Sequence, residues 1–542
     1  MKRPHDADAC NERPPKIPRT VAFDRLSGLS DELLVKVLSF ASVETLLDCQ
    51  RVSKKFGRLS VDSELWKAAY YERFVRPRAS RIPIVKGDRT RNHPHLEKSR
   101  LSKWLDEQEL VEKGSRTNWK QQFRLRHNWS LGRCAVSEIV VADQPSEPPL
   151  LVMMHDSIIF MADSILGLRA WDMKVERELI ASTPLGIPEA PRLPTSMAVG
   201  SQDTCNGSQK IALGFDDGGF TIFSLDLEAK TFNALFSHPP STNGMLLALA
   251  YSSPYLLTMT EDQLLSLYTF EGKTPRLLYS LRSHTIWPPA SLSIRMNASG
   301  VTAAIAYALP TYLSGWTVGV QEILLTHEGT FVESRLATAI DQSFGSLAGH
   351  PSMSSPSTRA SSPFPGTSRE PSFADSPSRA KPTSLSYSHP YLLATHPDNT
   401  LTLYLVRSTS ESLSVGAGSR LWGHTSSVSG AHVGTRGKAV SVSRLGNELR
   451  VWDLEGGLSS KVKRRPMNGE FSVRVQPATA ATEALEDLPN TSPHRFSLRR
   501  ALDQGFDDTT VSQGWVGFDD ENVFVLRENS KGSQALAVYD FT

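Results

Sequence analysis

Between Cys134 and Thr542 one short pattern returns at nearly even intervals: an Asp, two turn-forming residues, then an apolar-alternating strand ending on a bulky residue. It reads DGGFTIF ending at Phe223, DQLLSLY ending at Tyr268, DNTLTLY ending at Tyr404 and DENVFVL ending at Leu526. The same strand without the leading Asp occurs as LGLRAWD, with Trp171 and Asp172, and as NELRVWD, with Trp452 and Asp453. Asp, Asn and Gly start such turns because they satisfy local backbone groups or tolerate positive φ, and period-two alternation is the mark of a half-buried strand. KIALGF, PYLLTMT, PYLLATH and GWVGF run into several of these turns, so each unit holds a hairpin. Phe223 follows Trp171 by 52 residues, Tyr268 follows Phe223 by 45, and Trp452 follows Tyr404 by 48. A unit this small cannot bury its own apolar face, whereas stacked neighbours bury a continuous core.

Those intervals match the roughly 40–50 residues of a four-stranded propeller blade. The 136 residues between Tyr268 and Tyr404 hold SIRMNASGVTAAIAYA and GWTVGVQEILL as a divergent blade, together with a Ser/Pro-rich insertion at 344–386. Allowing for that insertion and a second one at about 475–505, residues 131–542 accommodate about seven blades. Trp452 follows His424 of the Gly423-His424 pair by 28 residues, and this pairing resembles a WD repeat. The region as a whole resembles a WD40 β-propeller with degenerate repeats. The resemblance implies structural roles for Trp171, Asp172, Asp217, Asp262, Asp398, Gly423, His424, Trp452 and Asp453. Gly446 stands where the family has its turn Asp, so the Asp-His-Ser/Thr-Trp hydrogen-bond network is expected to be incomplete in the best repeat. Ring closure is expected from AVSEIVV, near 135–141, pairing with the C-terminal QALAVYDF, which removes exposed sheet edges.

Upstream the texture becomes helical. Leu29, Leu33, Leu34, Val37 and Leu38, then Val43, Leu46 and Leu47, recur at spacings of three and four, with Ser30 and Ser42 placed as N-caps. Asp31 and Glu32 fall in a first helical turn, where carboxylates favour the dipole. A unit of this length is marginal alone, so other surface should cover its apolar face. LSGLSDELLVKVLSFASVETLLDCQRVSKKFGRLSVDSELWK resembles an F-box, the helical motif that docks its carrier on the Skp1 adaptor of cullin-based ubiquitin ligases. Two positions depart from the family: Ser30 stands where Pro is usual after the first Leu, and Phe56 where Trp is most frequent. The resemblance implies Skp1-binding roles for Leu29, Leu33, Leu34, Val37, Leu38, Leu46, Leu47, Val52 and Trp66.

The expected organisation is multidomain: a disordered basic, Pro-rich tail at 1–22, a small all-α F-box at 23–75, a helical linker at 76–130, and the all-β WD40-like propeller at 131–542. Lys2, Arg3, Arg13, Lys16 and Arg19 in the tail resemble a bipartite nuclear import signal. In the linker a helix is expected around 95–113, and Trp119, Phe123 and His127 form a stripe expected to pack on the following domain. Ser355, Ser362 and Ser376 each precede Pro and are candidate sites for proline-directed phosphorylation.

With 59 Lys and Arg against 57 Asp and Glu, the formal charge of +2 offers no overall electrostatic case for nucleic acid or an acidic membrane. Lys461, Lys463, Arg464 and Arg465 read as loop or edge-strand charge. No apolar run approaches the roughly 18 residues of a membrane helix, and the charged N-terminus is unlike a secretory signal, so the expected location is nucleus and/or cytoplasm. Cys10, Cys49, Cys134 and Cys205 match neither zinc nor disulfide spacings. No P-loop, Rossmann fingerprint, HExxH or G-x-S-x-G is present, so neither cofactor nor metal nor catalysis is expected. By resemblance the chain is a substrate-recognition subunit, with Skp1 and a cullin as partners and an unknown protein target on one propeller face. The alternative is a non-ligase propeller scaffold.

Overall fold

The computed structural model describes residue 26, residues 28–76, and residues 117–542 outside 156, 175–177, 188–189, 201–207, 271–274, 284–285, 298–299, 312–314, 327, 340–379, 435–436, 447, 455–471, 478–509 and 529–531. The tail, the helix expected at 95–113, Ser355, Ser362, Ser376 and the Lys461–Arg465 group lie outside the described residues. Two compact units result, Met1–Ala79 with Ser115–Phe123, and Ser80–Gly114 with Arg124–Thr542.

The first unit holds α1 (Asp31–Leu38), α2 (Val43–Val52), α3 (Lys54–Leu59) and α4 (Ser63–Tyr70), the last running into a π-helical turn, Tyr71–Val75. Ser42 caps α2 by accepting the Thr45 N–H at 3.2 Å, and Ser53 caps α3 by accepting that of Phe56 at 3.3 Å. Ser30 occupies the N-cap of α1 but its side chain makes no capping bond, contrary to expectation. Instead Asp31 in that first turn pairs with Arg58 at 2.5 Å and with Lys55 at 3.5 Å, tying α1 to α3. Leu34, Leu38, Leu46, Leu59, Leu65, Trp66 and Tyr70 are buried, and the Trp66 indole N–H donates to the Ser60 carbonyl at 2.7 Å. Trp119 and Phe123, at the start of α5 (Trp119–Leu131), complete this core: Trp119 lies 5.5 Å from Tyr70 and Phe123 5.5 Å from Trp66, ring centre to ring centre. The expectation that these two pack on the following domain is therefore corrected: the aromatic rings of α4 and of the turn after it, with Tyr71 and Phe74 besides Trp66 and Tyr70, take them instead.

The second unit is a β-propeller with seven four- or five-stranded sheets among its described residues. Written from axis to rim as strands a to d, blade 1 is Leu151–His155, Ile158–Asp163, Gly167–Asp172 and Leu179–Thr183. Blades 2, 3 and 4 begin at Pro194, Leu246 and Trp287 and end at His238, Arg282 and Thr338. The sequence SIRMNASGVTAAIAYA forms the inner hairpin of blade 4, as expected of a divergent blade. Blade 5 opens with Ser384–Ser388, so the insertion assigned to 344–386 ends before Ser384. Its outer strand is broken: Leu413–Val415 and Ser419–Trp422 both pair with Thr400–Ser408. Blade 6 comprises Val428–Val433, Lys438–Ser443, Leu449–Asp453 and Ser472–Arg474, and Gln476–Pro477, inside the second expected insertion, pairs with Arg133–Cys134.

Blade 7 closes the ring. Thr510–Phe518, Asn522–Glu528 and Gln534–Asp540 are joined by Arg133–Ala142, which runs antiparallel to the last strand with Ala135 opposite Asp540 and Val140 opposite Ala535. This is the closure read from the sequence. The last turns of α5 pack here, where Trp129 stacks on Phe541 with ring centres 4.0 Å apart and donates its indole N–H to the Asp520 carbonyl at 2.8 Å. Apolar clusters fill each space between blades; Phe160, Leu213 and Phe215, for example, join blades 1 and 2.

Candidate functional site

Helix α1 carries two apolar stripes one residue out of phase. Leu34 and Leu38 point into the core, 1% and 4% exposed, whereas Leu33 and Val37 point out, 55% and 54% exposed. Phe40, just past the C-terminus of α1, continues the outer stripe and is 81% exposed, with the Lys36 ammonium 5.2 Å from its ring centre. On α2, Leu47 and Val52 are exposed as well. Leu29 is half-buried, and its carbonyl accepts a hydrogen bond from Lys55 Nζ at 2.7 Å. The Arg58 guanidinium holds the Asp31 carboxyl below its ordinary range despite slight desolvation.

Of the nine residues assigned to Skp1 binding, then, Leu33, Val37, Leu47 and Val52 offer surface to a partner. Leu34, Leu38, Leu46 and Trp66 are buried within the unit itself, because a core of a few short helices needs its largest apolar side chains inside. Phe40, at i+3 from Val37 and i+7 from Leu33, prolongs this exposed stripe at the helical period. Clustered, exposed Leu, Val and Phe on one small unit mark a surface that another protein covers.

In the propeller Asp217, Asp262 and Asp398 sit at the turns between strands b and c, Trp171, Asp172, Trp452 and Asp453 at the ends of strands c, and Gly423-His424 in the segment that enters blade 6. The best repeat is the clearest. The Trp452 indole N–H donates to Ser441 Oγ at 2.7 Å, and Ser441 Oγ lies 2.6 Å from His424 Nε2. His424 Nδ1 faces Glu448 Oε2 at 3.5 Å, and Glu448 accepts the Thr425 N–H at 2.8 Å and Arg450 Nε at 2.7 Å. Because Ser441 Oγ accepts the Trp452 N–H, its hydroxyl proton is available to His424 Nε2, which leaves the imidazole proton on Nδ1, on the side of the carboxylate. The network is incomplete at the histidine, as expected: Glu448, two residues beyond Gly446, stands 3.5 Å from His424 Nδ1, which has no hydrogen-bond partner among the described residues. The available signal was a Glu four residues before the repeat Trp. Burial would raise the Glu448 carboxyl, but hydrogen bonds from Thr425 and Arg450 hold it at about 2; burial lowers His424 to about 4, against the pull of Glu448. Gly423 fits closely here, since a Cβ would lie 3.0 Å from Arg450 Nη1 and 3.1 Å from the Trp452 ring.

Other repeats keep parts of this scheme. Asp398 Oδ1 accepts the Thr400 N–H at 3.0 Å while Oδ2 takes Arg420 Nη2 at 2.6 Å. Asp217 accepts the Gly219 N–H at 2.8 Å and pairs with Arg192, whose guanidinium stacks 3.8 Å from the Phe215 ring centre. In blade 1 the turn acid is Asp163, unrecognised in the sequence, which accepts the Ile165 N–H at 2.8 Å and forms a buried pair with Arg169 at 2.5 Å. Trp171 is half-buried with its indole N–H lacking an acceptor among the described residues, so its blade has no counterpart of the Ser441 relay. Asp172 accepts the Lys174 N–H at 2.8 Å, Asp262 is exposed at its turn, and Asp453 lies opposite Lys438 in the ladder. Asp163, Asp172, Asp217 and Asp398 therefore brace turns.

Among the described residues no three His, Cys, Asp or Glu side chains converge as metal ligands, and no helix is long and apolar enough to cross a membrane.

Residues 134–542 match the family described as F-box protein pof12 beta-propeller, and residues 31–72 match an F-box-like family. The F-box protein dre-1 of Caenorhabditis elegans is 30% identical over 105 residues, which cover 19% of this chain and only 9% of that protein. The WD40 beta propeller domain of Doa1, a solved structure, is 11% identical with a TM-score of 0.35 over 75% of this chain and 96% of that one.

Proposed function

Because this chain belongs to the F-box protein pof12 beta-propeller family, we propose that it is the substrate-recognition subunit of a Skp1–cullin–F-box ubiquitin ligase. The exposed stripe of Leu33, Val37 and Phe40 carries the reading, since it is an apolar helical face with no internal role. Skp1 would cover that face, and a cullin would join through Skp1. The propeller would hold a protein target near the charged ubiquitin-conjugating enzyme, raising its effective concentration at the transfer site. Ubiquitin chemistry stays on other subunits, and the chain itself recruits. The basic clusters at 2–19 favour a location in the nucleus and/or cytoplasm, and phosphorylation at Ser355, Ser362 or Ser376 would regulate recruitment.

Co-purification of the full chain with Skp1 and a cullin tests this. Wild type should retain both, and Leu33→Asp with Val37→Asp should lose both while the melting of the propeller stays unchanged. Both positions are exposed, so the substitutions leave the helical core intact. A folded wild-type chain that binds no Skp1 overturns the reading in favour of a non-ligase scaffold.

A further inference from the structure

At the ends of blades 5 and 6 where strand b turns into strand c, a large aromatic ring stands in solvent. Trp422, the last residue of the outer strand of blade 5, is 56% exposed. It is held rigidly: the Arg420 guanidinium lies 5.0 Å from its ring centre and is itself pinned by Asp398 at 2.6 Å and by Thr400 Oγ1 at 3.1 Å. The next residue, Gly423, abuts Arg450 and Ser472 of blade 6, and Arg450 lies opposite the exposed Arg474 in the ladder. At the neighbouring turn Arg444 and Leu445 are exposed, Leu445 by 52%, and the Arg444 N–H bonds the Ser427 carbonyl at 2.9 Å, fixing this turn beside the chain that leaves Trp422.

Charge decides what fits. The two carboxylates of the patch are already engaged, Asp398 by Arg420 and Glu448 by Arg450. Arg444 and Arg474 have no ion pair among the described residues, so the surface around Trp422 and Leu445 carries an excess of positive charge. A preorganised Trp, an apolar neighbour and free arginines are the composition of a binding hot spot, and rigidity reduces the entropy lost on docking. The free guanidiniums sit on separate elements, one on a turn and one on an outer strand, which suits spaced single charges better than one concentrated dianion.

We infer that this rim of blades 5 and 6 binds an acidic peptide segment of a partner protein, with an apolar or aromatic anchor on Trp422 and flanking Asp or Glu side chains on Arg444 and Arg474. This names the class of target segment and rests on the reading of the propeller as the target-binding half.

The test is fluorescence anisotropy of short labelled peptides on the full chain, built on one template with a central Phe or Ala and flanks of Glu, Lys or phosphoserine. The Glu-flanked Phe peptide should bind best. Trp422→Ala, and separately Arg444→Glu with Arg474→Glu, should each weaken it by at least about tenfold, and Trp422→Phe should recover part of the loss. All three positions are solvent-facing, so unchanged thermal melting is expected and is measured alongside. Equal binding of Glu- and Lys-flanked peptides, no binding of the Glu-flanked one, or wild-type affinity in both variants overturns the inference. Tighter binding of the phosphoserine peptide overturns the assignment to carboxylates. Skp1 co-purification of the same variants separates the two readings: peptide failure with Skp1 retained sinks this inference alone, and a wild type that binds the peptide but not Skp1 sinks the ligase reading alone.

Discussion

His424 makes the propeller sensitive to acid in a way that one substitution isolates. In the folded chain its imidazole is buried and held at about 4, against 6.5 for a free histidine. Above pH 6.5 the ring is neutral in both folded and unfolded chains and contributes no pH dependence. Between 6.5 and about 4 the unfolded chain takes up a proton that the folded chain excludes, so stability falls as acid is added. At about 1.4 kcal/mol for each pH unit of difference, the whole window is worth about 3 kcal/mol. Glu448, held at about 2, extends the loss below the ordinary carboxylate range as the folded chain resists neutralising it. The assay is urea unfolding of the full chain followed by tryptophan fluorescence at steps from pH 7 to pH 4, for wild type and His424→Asn. Asn keeps a hydrogen-bonding partner for Ser441 but cannot titrate. The variant starts less stable yet should show a shallower decline, flatter by about 2–3 kcal/mol over the window. His396 and His432, also lowered by burial, contribute equally to both chains and cancel. Identical slopes would refute the claim that His424 is buried in its neutral form.

Two further substitutions separate the stripes of α1: Leu38→Ala, deep in the core, should destabilise the helical unit by about 2–5 kcal/mol, while Val37→Ala should leave its melting within about 0.5 kcal/mol yet weaken Skp1 capture. Calorimetry with a parallel pull-down checks both, and equal stability losses would show that the stripes are not distinct. Deleting Gln534–Thr542 removes the strand that joins Asn522–Glu528 to Arg133–Ala142, leaving blade 7 two strands short of closure. The propeller should then be degraded under limited proteolysis conditions that leave wild type intact, and a protected truncated core would contradict the closure mechanism.

Much of this architecture is readable from local pattern. The turn-plus-strand motif identifies hairpins because alternation and turn chemistry act within a few residues, and DNTLTLY and NELRVWD become strands c of blades 5 and 6. The pairing of AVSEIVV with QALAVYDF was also readable, because a ring of blades needs one strand from the other end of the chain to close it. Exact substitutes were harder. Glu448 stands 3.5 Å from the histidine two residues beyond the position expected to hold an Asp, since a longer side chain comes near it from a different place in the turn. Asp163 escaped notice because its turn lacks the Asp-first wording of the other units, though it accepts the same backbone N–H groups.

The sequence alone determined that α1 is apolar on a wide face, that short hairpins recur at blade-sized intervals, and that no catalytic or metal motif is present. It could not say that Leu34 and Leu38 face inward while Leu33 and Val37 face out, because both pairs obey the same i, i+4 spacing; that choice belongs to the folded unit, which covers only one side of the helix. Likewise Trp422 reads as an ordinary strand residue until Asp398 and Arg420, some twenty positions apart, are folded together beside it. Periodicity is a short-range property of the chain, whereas burial and free charge depend on which distant residues arrive at the same place.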